Sequence, residues 1–272
     1  MYFCGVKEIK SISSTQNPLI KKVLLLKEKS RERKKTGLFI LEGVREIELA
    51  QKGDYTIKTL LYNPEIASDF SSHPISRNPT IEYVQLSKSV YEKLAHRGTT
   101  EGVLAVVESK EHLLENLQFK NPNPLVLVAE APEKPGNIGA LLRTADAANI
   151  DAVLIANPRS DLYNPNIIRS SVGCVFTTQI GMGNSTEILE FLKEKNISIF
   201  CAALTASKNY VECDFQGGSA IVVGTEATGL SDTWLQHSDQ NIIIPMQGEI
   251  DSMNVSVSAA ILIFEAKRQR GY

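Results

Sequence analysis

The second half of the chain alternates short apolar runs with segments of helical pattern. Residues 125–129 and 220–223 lack the polar alternation of a strand with one exposed face, so they predict strands that are buried on both faces. We predict further strands at 152–155, 197–203 and 241–244, and helices at 138–149, 167–176, 186–195 and 255–268. Strands and helices in alternation indicate an α/β domain with a parallel sheet covered on both faces.

The first half of the chain ends at a turn-rich string, Asn121-Pro122-Asn123-Pro124, which interrupts regular structure on both sides. Upstream of it we predict helices at 18–29, 44–51 and 87–95, and strands at 57–61, 81–84 and 102–107. These elements fit a smaller α/β domain of ordinary size. The predicted organisation is a first domain over residues 1–117, a linker at 118–124 and a second domain over 125–272.

Charge is distributed unevenly, although the formal net charge is only −2. Residues 1–35 contain ten basic and three acidic residues, a local charge of +7, so the remainder carries −9. A basic segment on an acidic body can provide a phosphate-binding surface for RNA. A solvated, lysine-rich helix explains the same composition equally well.

Composition argues against several other classes of protein. The four cysteines are scattered without a Cys-x-x-Cys pair, and the four histidines are isolated, so neither a disulfide framework nor a metal site is expected. The apolar runs fall well short of the roughly 18 residues that span a bilayer. The first ten residues lack the apolar core of a signal peptide. We therefore expect a cytoplasmic protein with no membrane or metal partner.

The loop after the first buried strand has polar residues at the sheet edge where parallel sheets bind ligands. In residues 130–139, Asn137 is expected to cap the next helix. Gly136 and Gly139 would permit a close backbone approach to an anion at the helix N-terminus. Arg143 lies about 9 Å further along the helix axis. In the alternative interpretation, neither residue takes part in ligand binding or catalysis: Asn137 only caps the helix, and Arg143 is an ordinary surface charge.

A second loop brings Glu226 to the end of the buried run at 221–223. A carboxylate at this position suits binding or acid–base chemistry. In the alternative interpretation, Glu226 begins a helix, where the helix dipole favours a negative charge.

A third loop follows the strand at 242–244 and contains Ser252 and Asn254. Either residue would cap the last helix, or both would present polar groups to a ligand at its N-terminus. Pro245 and Gly248 keep the backbone out of a helix, which leaves amides and carbonyls free for an adenine edge.

Together the three loops resemble the three sequence motifs of the SpoU (TrmH-type) branch of the SPOUT RNA methyltransferases, over about the last 150 residues. The matching elements are Asn137-x-Gly139-x-x-x-Arg143-Thr144-Ala145, Gly224-x-Glu226-x-x-Gly229-Leu230, Ile244-Pro245-Met246 and Asp251-Ser252-x-Asn254-Val255-Ser256, with Asn164-Pro165-x-x-x-Arg169-x-Ser171-x-Gly173 between the first two. Thr225 departs from the family, which often has Asn, Pro, Ala or Ser at this position.

The first domain is similar to the ribosomal-protein-like RNA-binding domain attached to many family members. The residues that carry this similarity are Ser14-x-x-Asn17-Pro18, Phe39-x-x-Glu42-Gly43 and Gly102-Val103-Leu104-Ala105.

The resemblance implies a deep trefoil knot in the second domain, S-adenosyl-L-methionine bound within it, and a homodimer whose active site draws on both subunits. It implies methyl transfer to a ribose 2′-hydroxyl of RNA, with 23S ribosomal RNA as the expected substrate. The implied catalytic residues are Asn137, Arg143, Glu226, Ser252 and Asn254. The implied cofactor-binding residues are Leu204, Gly224, Ile244, Met246 and Met253.

Three questions stay open at the level of sequence. Arg143 acts either on the hydroxyl proton or by electrostatic activation, since arginine stays protonated in proteins. Transfer RNA is the alternative substrate, and a non-catalytic RNA-binding module is the alternative function. A nicotinamide-dependent oxidoreductase is disfavoured because the chain has no Gly-x-Gly-x-x-Gly after the first strand.

Overall fold

The computed structural model describes residues 9–68, 75, 78–95, 101–205 and 207–271. The chain divides into two compact units, residues 1–110 and 111–272. Lys7 and Glu8 of the basic segment, one of the four cysteines (Cys4) and two of the four histidines (His73 and His96) lie outside the described part of the chain.

The first unit is an α/β domain with a five-stranded mixed sheet. Its elements are β1 (Lys10–Ile12), α1 (Pro18–Glu28), α2 (Ser30–Thr36), β2 (Leu38–Glu42), α3 (Val44–Lys52), β3 (Ile57–Tyr62), β4 (Glu82–Leu86), α4 (Lys88–Leu94) and β5 (Val103–Glu108). The strand order is β1-β4-β3-β5-β2. β4 pairs in parallel with β1 and β3, whereas β5 is antiparallel to β2 and β3.

Residues of the basic segment contribute to the core of the first unit. Ile12, Ile20, Val23 and Leu26 are buried in one hydrophobic cluster. Arg33 is also buried, and its guanidinium donates to the carbonyls of Leu26 and Lys27 near the end of α1. The segment is therefore a folded part of the sheet domain, and part of its charge has a structural role.

The second unit is built on a parallel sheet of seven strands. Its strands and α-helices are β6 (Leu125–Glu130), α5 (Pro135–Ala147), β7 (Ala152–Ala156), α6 (Pro165–Ser170), β8 (Ile180–Gly183), α7 (Ser185–Glu194), β9 (Ser198–Ala202), β10 (Lys208–Asn209), β11 (Ser219–Val223), α8 (Asp232–Gln236), β12 (Gln240–Ile243) and α9 (Val255–Gln269). The strand order is β10-β12-β9-β11-β6-β7-β8. The predicted α/β fold class is confirmed.

The central strands are buried along their whole length. Every residue of β6, β7 and β11 is buried, which explains why their sequences show no polar alternation. β6 lies between β11 and β7, so the loops that follow β6 and β11 leave the same edge of the sheet side by side.

The helix predicted at 167–176 is confirmed only as far as Ser170 and is wrong beyond it. α6 ends at Ser170, Val172 and Gly173 adopt left-handed backbone conformations with φ of 54° and 82°, and a separate 3₁₀ turn covers Cys174–Phe176. Residues on both sides of the break are buried, so the apolar pattern runs on although the helix does not.

Residues 111–117, which were predicted to belong to the first domain, pack on β8 of the second unit. The 3₁₀ turn Leu114–Asn116 contacts this strand, and the Met182 amide donates to the His112 carbonyl over 2.7 Å. β8 itself was not predicted, because its Ile-Gly-Met-Gly sequence has low strand propensity.

Candidate functional site

A cavity of about 590 Å³ lies at the carboxyl ends of β9, β11 and β12 and reaches the start of α9. Ligands of open parallel sheets bind at this edge, and the volume is within the range of small-molecule sites, about 300–1,000 Å³. All five residues predicted to hold a cofactor line this cavity: Leu204, Gly224, Ile244, Met246 and Met253. Glu226 and Ser252, from the predicted catalytic set, line it as well.

The loop after β11 folds back tightly on the end of its strand. A Cβ at Gly224 would lie 2.2 Å from the carbonyl carbon of Gly229 and 2.3 Å from its oxygen. The amides and carbonyls of Thr225 and Gly229 bond reciprocally at 3.0 and 3.1 Å, and Gly229 has a φ of 67°. Glycine is therefore required at both ends of this turn.

The Thr225 side chain stabilises the same turn by hydrogen bonds. Its hydroxyl oxygen accepts from the Thr228 amide at 3.1 Å and lies 2.8 Å from the Thr228 hydroxyl. The departure from the family pattern thus adds side-chain hydrogen bonds to the loop. Glu226 lies inside this turn and does not begin a helix, since α8 starts at Asp232. The helix-start alternative for Glu226 is wrong.

A second recess of about 100 Å³ adjoins the larger cavity. Lys134, Asn137 and Leu141 line only this recess, while residues 223–227 and Val255 line both spaces. Asn137, in the first turn of α5, and Glu226, in the loop after β11, therefore line the same recess. The Lys134 ammonium forms an ion pair with the Glu226 carboxylate across it. Lys134 had no predicted role, and only the neighbouring positions of β6 and β11 in the sheet bring the two residues together.

Asn137 does not cap α5, contrary to prediction. The helix begins at Pro135, as proline favours, and Lys134 occupies the cap position without a side-chain bond. Asn137 lies in the first turn, and its Oδ1 accepts from Asn254 Nδ2 over 3.2 Å. Its side chain thus faces the third loop of the site.

Asn254 caps α9 and contacts Asn137 at the same time. Its Oδ1 accepts from the Ser256 amide at 3.0 Å and from the Ser256 hydroxyl at 2.6 Å. The cap interpretation is therefore confirmed for Asn254, which also contacts Asn137 in the first turn of α5. Ser252 is not the cap, and its hydroxyl donates to the Asp251 carboxylate at 3.0 Å.

Arg143 is exposed on α5 and lines neither cavity. At 3.6 residues per turn, six residues of helix rotate its side chain about 120° away from that of Asn137. One chain therefore brings Asn137, Glu226, Ser252 and Asn254 to the same edge, while Arg143 points elsewhere.

Gly139 has a packing role that differs from the predicted approach to an anion. A Cβ there would lie 1.9 Å from Ser170 Oγ and 2.7 Å from the Ser171 amide. This glycine lets α5 and α6 cross closely. Gly136, by contrast, has no atom within 4 Å of where its Cβ would lie.

Burial raises the pKa of the Cys201 thiol, at the end of β9, to about 11. The thiol is therefore protonated at neutral pH and is a poor nucleophile. Within the described ranges, no group of three His, Cys, Asp or Glu side chains is arranged to hold a metal ion. No helix in that same part of the chain is long and apolar enough to cross a membrane.

Fold and site together define an α/β protein whose parallel sheet holds a cofactor-sized cavity at its carboxyl edge. The chain belongs to the SpoU rRNA methylase family, whose model matches residues 124–264. A model of the MRM3-like substrate-binding domain matches residues 17–105. The family predicted from the three loops is confirmed.

Relatives of known structure or name cover nearly the whole chain. The 23S rRNA (guanosine(2553)-2′-O)-methyltransferase RlmP of Bacillus subtilis (strain 168) is 30% identical over 261 residues, 95% of this chain and 100% of that protein. A crystal structure of an RNA 2′-O ribose methyltransferase is 37% identical, with a TM-score of 0.83, and covers 96% of this chain and 100% of its own. The SpoU methyltransferase AviRb from Streptomyces viridochromogenes, solved in complex with AdoMet, is 26% identical, with a TM-score of 0.84, over 93% of this chain and 99% of its own.

Proposed function

We propose that this protein transfers a methyl group from S-adenosylmethionine to a ribose 2′-hydroxyl of 23S ribosomal RNA. The main support for this proposal is that the larger cavity and the smaller recess adjoin each other at one edge of the sheet. A cavity of cofactor size lined by Gly224, Ile244 and Met253 opens beside a recess that presents Asn137 and Glu226. The two spaces share a wall, so a donor in one would lie next to an acceptor in the other.

The residues of the larger cavity fit S-adenosylmethionine. Leu204, Ile244 and Met246 provide apolar walls for a purine ring. Gly224 and Gly229 also line the cavity, where their backbone amides and carbonyls are not covered by a side chain of their own. When bound, S-adenosylmethionine supplies a methyl group activated on a cationic sulfonium sulfur, and Glu226 provides a carboxylate of complementary charge on the shared wall.

Polar residues of the chain would orient the ribose and interact with the proton of its 2′-hydroxyl. Glu226 lines both the cavity and the recess, and its carboxylate would accept a hydrogen bond from the ribose 2′-hydroxyl. Lys134 forms an ion pair with this carboxylate. Asn137 and Asn254 fix each other's amides by their mutual hydrogen bond. Ser252 lines the larger cavity. Correct alignment of two reactants accounts for a large part of the rate of such a transfer.

Arg143 fits this scheme as a residue supplied by a second copy of the chain. It is exposed and points away from the site of its own chain, yet its guanidinium is a suitable donor for a ribose oxygen or a phosphate. A symmetric dimer would place each Arg143 in the site of its partner. The homodimer and the roles of the five catalytic residues belong to this proposal.

The first unit would bind the RNA substrate. Lys21, Lys22, Lys34 and Lys35 are exposed on its first two helices, and exposed cations give salt-dependent affinity for phosphates. With ribosomal RNA as the substrate, we place the protein in the cytoplasm.

The dimer proposal has a direct test in mixed variants. Arg143→Ala and Asn254→Asp each leave an inactive homodimer if both residues serve methyl transfer. When the two are mixed and allowed to exchange subunits, random pairing restores about a quarter of wild-type activity, because each heterodimer regains one intact site. If mixing restores no activity although heterodimers form, Arg143 does not act across subunits.

A further inference from the structure

Glu130 is a buried charged residue that follows Ala129, a residue of the recess wall. It is the last residue of β6 and only 6% exposed. Its carboxylate accepts from the Ser231 amide at 2.8 Å and from the Ser231 hydroxyl at 2.6 Å. A carboxylate that receives two donors from one residue holds that residue in a defined position.

Ser231 terminates the loop that carries Glu226. The loop leaves β11 at Gly224, turns back through Thr225 and Gly229, and ends at Ser231 before α8. Gly224 fixes the loop at one end by its close contact with Gly229. At the other end, the side chain of Glu130 ties the loop to β6.

A buried network surrounds this second attachment. The Ser185 hydroxyl at the start of α7 accepts from Trp234 Nε1 at 2.9 Å and from Asn157 Nδ2 at 2.8 Å, and lies 3.5 Å from the Glu130 carboxylate. Trp234, on α8, is fully buried. The network therefore connects the ends of β6, β7 and β8 with the helix that follows the loop.

We infer that Glu130 is a positioning residue of the active site, which acts through Ser231 on the loop of Glu226. Residues 224–230 all line the larger cavity. A shift of Ser231 would therefore displace both this part of the cavity wall and the Glu226 carboxylate. The consequence for methyl transfer rests on the proposed function, while the consequence for the loop does not. A buried carboxylate contributes little net stability compared with an apolar residue of similar size, and here it fixes a geometry.

Two variants and a matched control test the inference. Glu130→Gln keeps the shape of the side chain but replaces one acceptor oxygen by a donor. Ser231→Ala removes the hydroxyl and leaves the amide in place. Ser219→Ala is the control, because Ser219 lies at the opposite end of β11 and its hydroxyl also donates an intramolecular hydrogen bond, to the Gly217 carbonyl at 2.8 Å.

The first readout is hydrogen exchange of the loop amides in the ligand-free, full-length protein. The Thr225, Thr228 and Gly229 amides are each hydrogen-bonded within the loop. Glu130→Gln and Ser231→Ala are expected to speed their exchange about tenfold, because the opening of the loop loses one of its two attachments. Ser219→Ala leaves these amides unchanged. Unchanged exchange in both test variants overturns the inference, whatever the protein's activity.

The second readout is kinetic and concerns folded protein only. With S-adenosylhomocysteine as the probe, calorimetry is expected to show weaker binding to Glu130→Gln, and saturating kcat is expected to fall about tenfold. Trp234 is the chain's single tryptophan, so its emission reports whether the network is intact. A lower melting temperature with wild-type affinity and kcat means that Glu130 is structural only. If the wild-type protein transfers no methyl group, the proposed function fails, while the exchange experiment still decides the role of Glu130.

Discussion

Asn254 Nδ2 donates to Asn137 Oδ1 over 3.2 Å and thereby joins the first turns of α9 and α5, 117 residues apart in the chain. The same Asn254 side chain caps α9 through its oxygen. The oxygen of the Asn254 amide therefore stabilises the helix, while its nitrogen contacts another residue of the site. A mutation can remove the second interaction and keep the first.

We expect Asn254→Asp to keep the stability of the protein and lose its activity. Aspartate caps a helix as well as asparagine does, so the free energy of unfolding should change by less than about 0.5 kcal/mol. A carboxylate cannot donate to Asn137, so methyl transfer should fall at least about tenfold. Asn254→Ala, the control, should lose activity and also about 1 kcal/mol of stability. Full activity of Asn254→Asp would show that the Asn137 contact is dispensable.

Arg143→Ala is expected to abolish methyl transfer while cofactor binding stays intact. The side chain is exposed and lines neither cavity, so affinity for S-adenosylhomocysteine and thermal stability should match the wild type. Lys193→Ala, an exposed cation on α7, provides the matched control. Turnover of Arg143→Ala within about tenfold of wild type, a loss of about 1.4 kcal/mol in transition-state stabilisation, would remove Arg143 from the mechanism.

Gly224→Ala is expected to disrupt the loop after β11. The new methyl group would collide with the Gly229 backbone, and such overpacking costs about 1–3 kcal/mol. Binding of S-adenosylhomocysteine should be lost in a protein that still folds. Gly217→Ala is the control, because a Cβ there meets no atom within 4 Å. Wild-type affinity of Gly224→Ala in calorimetry would mean that this loop does not form the cofactor site.

The exposed lysines of α1 and α2 are expected to bind RNA through phosphates. Replacing Lys34 and Lys35 by glutamine should weaken RNA binding and reduce the slope of log K against log salt by about 0.7–0.9 per lost phosphate contact. Lys52→Gln on α3 is the control. Deleting the whole basic segment is a poor test, because it would remove the buried Ile20, Val23 and Leu26. An unchanged salt slope in the double variant would assign RNA binding to another surface.

Cys201 is expected to resist alkylation in the native protein. Burial raises its thiol pKa to about 11, so the reactive thiolate is scarce at pH 8 and increases only as the pH approaches the raised pKa. Mass spectrometry after iodoacetamide treatment at pH 8 should find Cys201 unmodified in native protein and modified in denaturant. Rapid native modification would show that the end of β9 opens readily.

The sequence was sufficient to predict the central strands and the three loops of the site. Apart from Glu130 at the end of β6 and Ser219 at the start of β11, both strands are apolar because they are buried on both faces, and this distinguishes them from the polar loops that follow. Parallel strands place such loops at one edge, so the meeting of Asn137 and Glu226 followed from topology.

Elements fixed by tertiary contacts could not be predicted. β8 contains glycine where a side chain would not fit, since a Cβ on Gly181 would lie 2.8 Å from Leu117 and 2.9 Å from Leu114. The roles of Lys134 and Glu130 could not be predicted from the sequence, because their partners, Glu226 and Ser231, lie about a hundred residues further along the chain. The break at Val172 is a backbone conformation that the pattern of apolar residues does not report.

In the proposed reaction, the joined cavity and recess catalyse ribose methylation of ribosomal RNA. The most direct measurement incubates the purified protein with unmodified 23S ribosomal RNA and tritiated S-adenosylmethionine, then digests the RNA to nucleosides. We predict that the label appears in one 2′-O-methylated nucleoside and disappears with Arg143→Ala. Label in base-methylated nucleosides, or no transfer by protein that binds S-adenosylhomocysteine and the RNA, would contradict ribose methylation by this site.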